Sequence, residues 1–330
     1  MTLVVATLVV GAALASGIYL LYRSETAPMA GPIHVIDDAG RNVTLAHPAQ
    51  RIVALQPSVM DILFRLGLRD RVVGVDCGAA AEGGVYADYT PGQVTNWSLQ
   101  NVPCIVWLPS LDIPAIVALQ PDLVIGATGI AITSLDQITD TYGIATLYLN
   151  PANLSGIGHD VSLVAALTGT EATGRDLFAA MNASLSEDSQ AVSNLSSRMR
   201  ILLTYYADTG GYYTFGPGTF GNALVTAAGA VSITATDTQA NEGEISGTYV
   251  LAADPEAIVV GVGFGWIVSS YAIGPDWADF PAVQQGHVYP IDATLISEPD
   301  PSMIFGIATL IHLLYPTLLI PVPSSGPIKG

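Results

Sequence analysis

The stretch Arg51–Asp76, RIVALQPSVMDILFRLGLRDRVVGVD, reads as one strand–loop–helix–strand unit. Ile52-Val53-Ala54-Leu55 is a β-branched apolar run, short enough for a buried parallel strand. Gln56-Pro57 stops it, because proline cannot donate to a sheet ladder. Ser58 is then the expected N-cap of a helix, with Asp61 three residues on, as in a capping box with Asp in place of Glu. Met60, Leu63 and Phe64 give that helix an apolar face, Gly67 ends it, and Val72-Val73-Gly74-Val75 makes the next strand.

Outward from this unit, related patterns recur. The segment Val35-Ile36-Asp37-Asp38-Ala39-Gly40-Arg41 holds a D-x-x-G-R turn ahead of the first lobe strand. The run from Ile116 to Ile125 reads as a helix end, Gln120-Pro121-Asp122, then a strand; Ala252 to Val260 repeats it around Asp254-Pro255-Glu256. The fourth segment is DWADFPAVQQGHVYPID, from Asp276 to Asp292. A repeated helix–Pro-Asp/Glu–strand unit is what two similar α/β lobes produce.

In this order and spacing the four segments resemble the substrate-binding proteins of the iron-siderophore, haem and cobalamin ABC importers, the helical-backbone class III of periplasmic binding proteins. The resemblance runs from about Ile33 to Tyr315. It implies an α/β fold of two Rossmann-like lobes joined by a single long α-helix, with the ligand cleft between them. The expected division is 1–22 a membrane anchor or signal segment, 23–32 a tether, 33–152 the N-terminal lobe, 153–199 the linker region, 200–320 the C-terminal lobe and 321–330 a tail. Helical spacing of Leu177, Ala180, Met181 and Leu185 places the long helix in that linker, with a turn at Thr168-Gly169-Thr170 and a start near Glu171. In the family two acidic residues, one per lobe, dock on the permease. Asp61 matches the first; the second position is Thr248 here, with Glu244 or Glu242 nearby.

Composition places the folded part outside the cytoplasm. Lys+Arg is only 10 against 28 Asp+Glu, a formal charge of −18, and Lys329 is the sole lysine. Nucleic-acid binding is excluded, because phosphate contacts need clustered Lys and Arg. The 12% charged fraction fits life in strong acid or high salt, or a lineage bias. Thr2 to Tyr22 carries no charged side chain and is long enough to span a bilayer core of about 30 Å. An uncleaved anchor is expected; Ala13-Leu14-Ala15 offers the alternative of signal cleavage. No cysteine follows it closely, so no lipid anchor of the family's kind is available. Five N-x-S/T sequons, at Asn42, Asn96, Asn153, Asn182 and Asn194, agree with an exterior location. Cys77 and Cys104 either form a disulfide, worth roughly 3 kcal/mol in the chain-entropy model, or stand as two buried thiols.

No catalytic constellation is present in the sequence. Five scattered histidines make no metal set with a carboxylate, and no nucleophile elbow or P-loop occurs. Aromatic residues near predicted strand ends are the better clue, because open α/β sheets bind ligands beyond the carboxyl ends of their strands. The expected ligand-binding residues are Gln56, Trp97, Trp107, Tyr205, Tyr213, Phe215, Phe264 and Trp266. Core packing is the competing reading for each aromatic. No arginine falls in a cleft loop, which favours a neutral or weakly charged ligand, a cobalamin-like corrinoid or a hydroxamate siderophore. Three functions follow: a non-enzymatic receptor, without cofactor, that hands a metal chelate to an ABC permease; an anchored sensor or scavenging receptor with no permease; or a chelatase-like enzyme, which needs a His/carboxylate or cysteine cluster.

Overall fold

The computed structural model describes residues 31–76, 102–105, 110–207, 211–237, 243–262, 276–318 and 320. The chain opens with a hairpin, β1 (Ile33–Ile36) and β2 (Asn42–Leu45). Its turn is the D-x-x-G-R segment. Asp37 accepts the backbone N–H groups of Ala39 and Arg41 and pairs with the Arg41 guanidinium at 2.7 Å. Gly40 sits at φ +76°, a conformation that glycine adopts without strain.

The first lobe is a five-stranded parallel sheet, ordered β5–β4–β3–β6–β7. Its strands are β3 (Ile52–Ala54), β4 (Val72–Asp76), β5 (Cys104–Ile105), β6 (Leu123–Ala127) and β7 (Ala145–Leu149). Strands β3 and β6 are buried throughout, as unbroken apolar runs in a parallel sheet should be. Helix α1 (Pro57–Arg65) joins β3 to β4, α2 (Ile113–Ala118) precedes β6, and α3 (Ile132–Tyr142) joins β6 to β7. One expectation is corrected here. Helix α1 begins at Pro57, with Gln56 as N-cap and no side-chain cap bond, so Ser58 lies inside the helix. Proline's fixed φ and missing N–H suit the first helical position, which moves the N-cap two residues back, from Ser58 to Gln56.

Two helices follow, α4 (Leu154–Thr168) and α5 (Glu171–Val192). The long helix of the linker is α5, with 22 residues, preceded by α4 and the turn at Thr168-Gly169-Thr170. Gly169 closes α4 in a left-handed C-cap at φ +70°, and α5 starts at Glu171, where the sequence places it. Helix α4 is tied to the first lobe, since Arg71 donates to the carbonyls of Thr168 and Ala49. Helix α5 packs on α4 at one side and on the second lobe at the other.

The second lobe holds β8 (Arg200–Ala207), β9 (Tyr212–Thr214), β10 (Val231–Ser232), β11 (Glu244–Ile245), β12 (Ala257–Val262) and β13 (Val288–Asp292). The order is β11–β9–β8–β12–β13, and β10 pairs with the start of β8. Strands β8, β12 and β13 are parallel; β9 is antiparallel to both β8 and β11. Its helices are α6 (Phe220–Ala227), α7 (Gly247–Ala253), α8 (Pro281–Gln284), α9 (Thr294–Ser297) and α10 (Met303–Leu314). Helix α10 is buried along most of its length, and the Tyr315 hydroxyl after it accepts from Met199 N–H and donates to Gly229 carbonyl.

One apolar cluster runs through both lobes. It contains Ile52 and Leu123 from the first sheet, Ile201 and Val259 from the second, and Val161, Leu177 and Met181 from the linking helices. Trp277 packs in a separate second-lobe cluster with Tyr212 and Phe280. Among the described residues no helix is long and apolar enough to cross a membrane. The expected anchor, Thr2 to Tyr22, lies outside them.

Candidate ligand cleft between the lobes

A cavity of about 460 Å³ opens where the two lobes face each other. Its first-lobe wall is made at the carboxyl ends of strands. Gln56 follows β3, Thr128 follows β6 and Asn150 follows β7. They form a connected rim: Gln56 Nε2 donates to the Thr128 carbonyl at 3.2 Å, and Thr128 Oγ1 donates to Asn150 Oδ1 at 2.7 Å. Asn150 is in turn positioned by Asp38, whose carboxylate accepts its backbone N–H at 2.6 Å.

The second-lobe wall is aromatic. Tyr205 of β8 and Phe215, after β9, pack with ring centroids 4.9 Å apart and line the cavity. Phe215 is fixed from behind. Gly221 lets its ring lie against α6, where a Cβ would fall 2.1 Å from the ring, and its carbonyl accepts the Thr234 hydroxyl at 2.6 Å. Thr219 caps α6 by accepting the Asn222 N–H, and donates its hydroxyl to the Gly216 carbonyl at 2.8 Å. Tyr213 is close to Tyr205, 6.4 Å between centroids, but does not line the cavity.

The floor is formed by Ser58 from α1 and by Ser297, Glu298 and Pro299 at the end of α9 and just beyond it. Glu298 is 9% exposed, and burial pushes its carboxyl up to about 7. A hydrogen bond from the Ser58 backbone works against that rise, while the Asp76 charge adds to it. Deeper in, Asp300 is fully buried and accepts the N–H and hydroxyl of Ser302. Burial and then the Asp61 charge raise it well above the ordinary carboxylate range, against the pull of Ser302 and Arg65.

Asp61 lies beneath this floor, beside Asp300. It is 1% exposed, and its Oδ2 accepts Arg65 Nε at 2.6 Å; Oδ1 has no hydrogen-bond partner. The Arg65 guanidinium lies 5.8 Å from the Phe305 ring of α10, so the pair sits between α1 and the second lobe. A carboxylate this buried is not presented to a permease, which bears on the docking role expected of Asp61. Its burial goes with the 298–305 segment folding over α1. Glu244, by contrast, is exposed on the edge strand β11, and Thr248 is exposed on α7.

Of the expected ligand residues, the structure brings Gln56, Tyr205 and Phe215 together. Trp97, Trp107, Phe264 and Trp266 lie outside the described residues, as do Cys77 and Glu242. Cys104 begins β5, paired in register with Val75. Sequence reasoning missed Thr128, Asn150, Thr219 and Glu298. The first two could have been found, since both directly follow apolar strands. Among the described residues, no group of three or more His, Cys, Asp or Glu side chains could hold a metal ion.

Comparison with known proteins agrees with this architecture. Residues 52–295 match the family model described as "Periplasmic binding protein". A cobalamin-binding protein from Halobacterium salinarum is 26% identical over 296 residues, covering 87% of this chain and 75% of that protein. An uncharacterized ABC transporter substrate-binding lipoprotein from Bacillus subtilis is 25% identical, covering 86% of each chain. Among solved structures, a molybdate periplasmic binding protein from Haemophilus influenzae superposes with a TM-score of 0.73 at 22% identity, covering 86% of this chain and 91% of that one.

Proposed function

From the premise that the chain belongs to the periplasmic binding protein family, a family of non-catalytic extracytoplasmic solute receptors for ABC import, we propose that its ligand is a metal chelate. A cobalamin-like corrinoid or a ferric hydroxamate fits best. The observation that carries this reading is the make-up of the cleft. Its described lining holds amides, hydroxyls, the aromatic rings of Tyr205, Phe215 and Phe220, and one carboxyl, Glu298, with no Lys, Arg or His. Such a wall suits a bulky ligand with a flat apolar face and a hydrogen-bonding edge, and lacks the bidentate cations that anionic chelates call for. Two relatives named as cobalamin-binding support the corrinoid arm.

Thr2 to Tyr22 is the proposed membrane anchor, and Cys77 and Cys104 the proposed disulfide. Glu244 is the docking acid we carry forward for the permease. Asp61 can join it only once its contact with Arg65 opens. That burial favours a second reading, an anchored receptor that senses or scavenges without a permease.

The test is tryptophan quenching and native mass spectrometry of the full chain in detergent, with cyanocobalamin, ferric ferrioxamine and haemin as probes. Binding of one of the first two is expected; binding of none overturns the chelate reading. Glu244→Arg should abolish uptake and spare affinity. Unchanged uptake in that variant favours the receptor without a permease.

A further inference from the structure

We propose that Glu298 sets which ligand charge the cleft accepts, rejecting chelates that bring an anionic edge to the cleft floor and admitting those that present an amide or a cation there. The inference rests on the chelate reading above and adds a residue and a pH dependence to it. Glu298 stands between α9 and α10, lines the cavity, and reaches the backbone N–H of Ser58 on the opposite lobe. Behind it are Asp76 at the end of β4, Asp300 ahead of α10, and Asp61 on α1. Arg65 is the cation among these groups, and it is paired with Asp61. The floor is therefore a surplus of acid.

An incoming carboxylate would meet Glu298 with no basic side chain among the described lining residues to offset it. Like charges placed together in a site shielded from water are strongly unfavourable. A primary amide in the same place donates a hydrogen bond to the Glu298 carboxylate, and bonds to a charged acceptor are the stronger kind. Because burial makes Glu298 titrate near neutrality, discrimination is a property of the deprotonated form. It fades as the medium is acidified.

The experiment compares cyanocobalamin with its monocarboxylate, in which one propionamide is hydrolysed. The second pair is neutral ferrioxamine E and N-succinyl ferrioxamine B. Each is titrated into the full-length wild type and Glu298→Gln at about pH 8.5 and about pH 5.5, on either side of the Glu298 transition. At the higher pH the wild type should prefer the neutral member of a pair by about tenfold or more. That ratio should shrink at the lower pH, and should be lost at both in Glu298→Gln. A ratio that ignores pH, or that survives in Glu298→Gln, overturns the inference and leaves the chelate reading intact. If neither the wild type nor Glu298→Gln binds any probe at either pH, the chelate reading falls and the inference, which rests on it, falls with it.

Discussion

Asp160 is buried in α4, and burial, reinforced by the nearby Asp38 charge, pushes its carboxyl up to about 9. Its ordinary value is 3.8. Between those two pH values the folded chain holds a proton that the unfolded chain releases. Stability from this residue is therefore greatest in acid and falls as pH rises toward 9. Asn cannot ionise, so Asp160→Asn should raise the melting temperature at about pH 8, with the gain vanishing near about pH 4. Thermal unfolding across that range checks it; a gain independent of pH would show that ionisation is not the cause. Asp188, pushed up to about 6 by burial, has the same sign. Arg65 poses the opposite case. Its removal leaves the Asp61 carboxylate buried and unmatched, and breaking a buried pair from one side costs about 3–5 kcal/mol. Arg65→Ala should lose about that much in urea unfolding, and adding Asp61→Ala should recover part of it. Little of this was legible in the sequence. Asp61 falls where a capping residue belongs, and only the fold-over of residues 298–305, more than two hundred positions away, turns it inward.

At the scale of elements, the patterns that depend on neighbours in sequence read well. The strand–helix–strand unit at Arg51–Asp76, the D-x-x-G-R turn and the start of α5 at Glu171 all appear where the residues put them. The reason is that β-branched runs, proline and positive-φ glycines act locally. The long helix of the linker is α5, and Gly169 and Thr170 form the turn that separates it from α4. These two helices approach closely at Gly174, where a Cβ would lie 2.7 Å from the Ala165 Cβ. Gly174→Val should force them apart and cost about 1–3 kcal/mol, the usual penalty of overpacking. Equilibrium unfolding measures it, and a neutral variant would mean the pair can slide without loss. The cleft was half legible. Tyr205 and Phe215 stand out as aromatics, whereas Thr128 and Asn150 are ordinary polar residues whose role comes only from following strands β6 and β7.

Over the whole molecule, the surplus of acidic groups and the shared core have separate effects. The formal charge of −18 is concentrated in groups that protonate on acidification, which relieves self-repulsion as pH falls. The core has a sharper consequence. Ile52, Leu123, Ile201, Val259 and the inner faces of α4, α5 and α10 belong to one apolar cluster. The lobes should therefore melt together, and calorimetry of the full chain should give a single transition with equal calorimetric and van't Hoff enthalpies. Two resolved transitions would mean that the lobes are independent units. The same cluster bears on timing. An apolar seam that must be torn before the cleft can widen stores no spring for ejecting cargo. Loading is then a matter of diffusion into a mould already cast, and unloading waits on mechanical work from outside the protein. Residence time, on this view, is written in the seam between the lobes as much as in the contacts that touch the cargo.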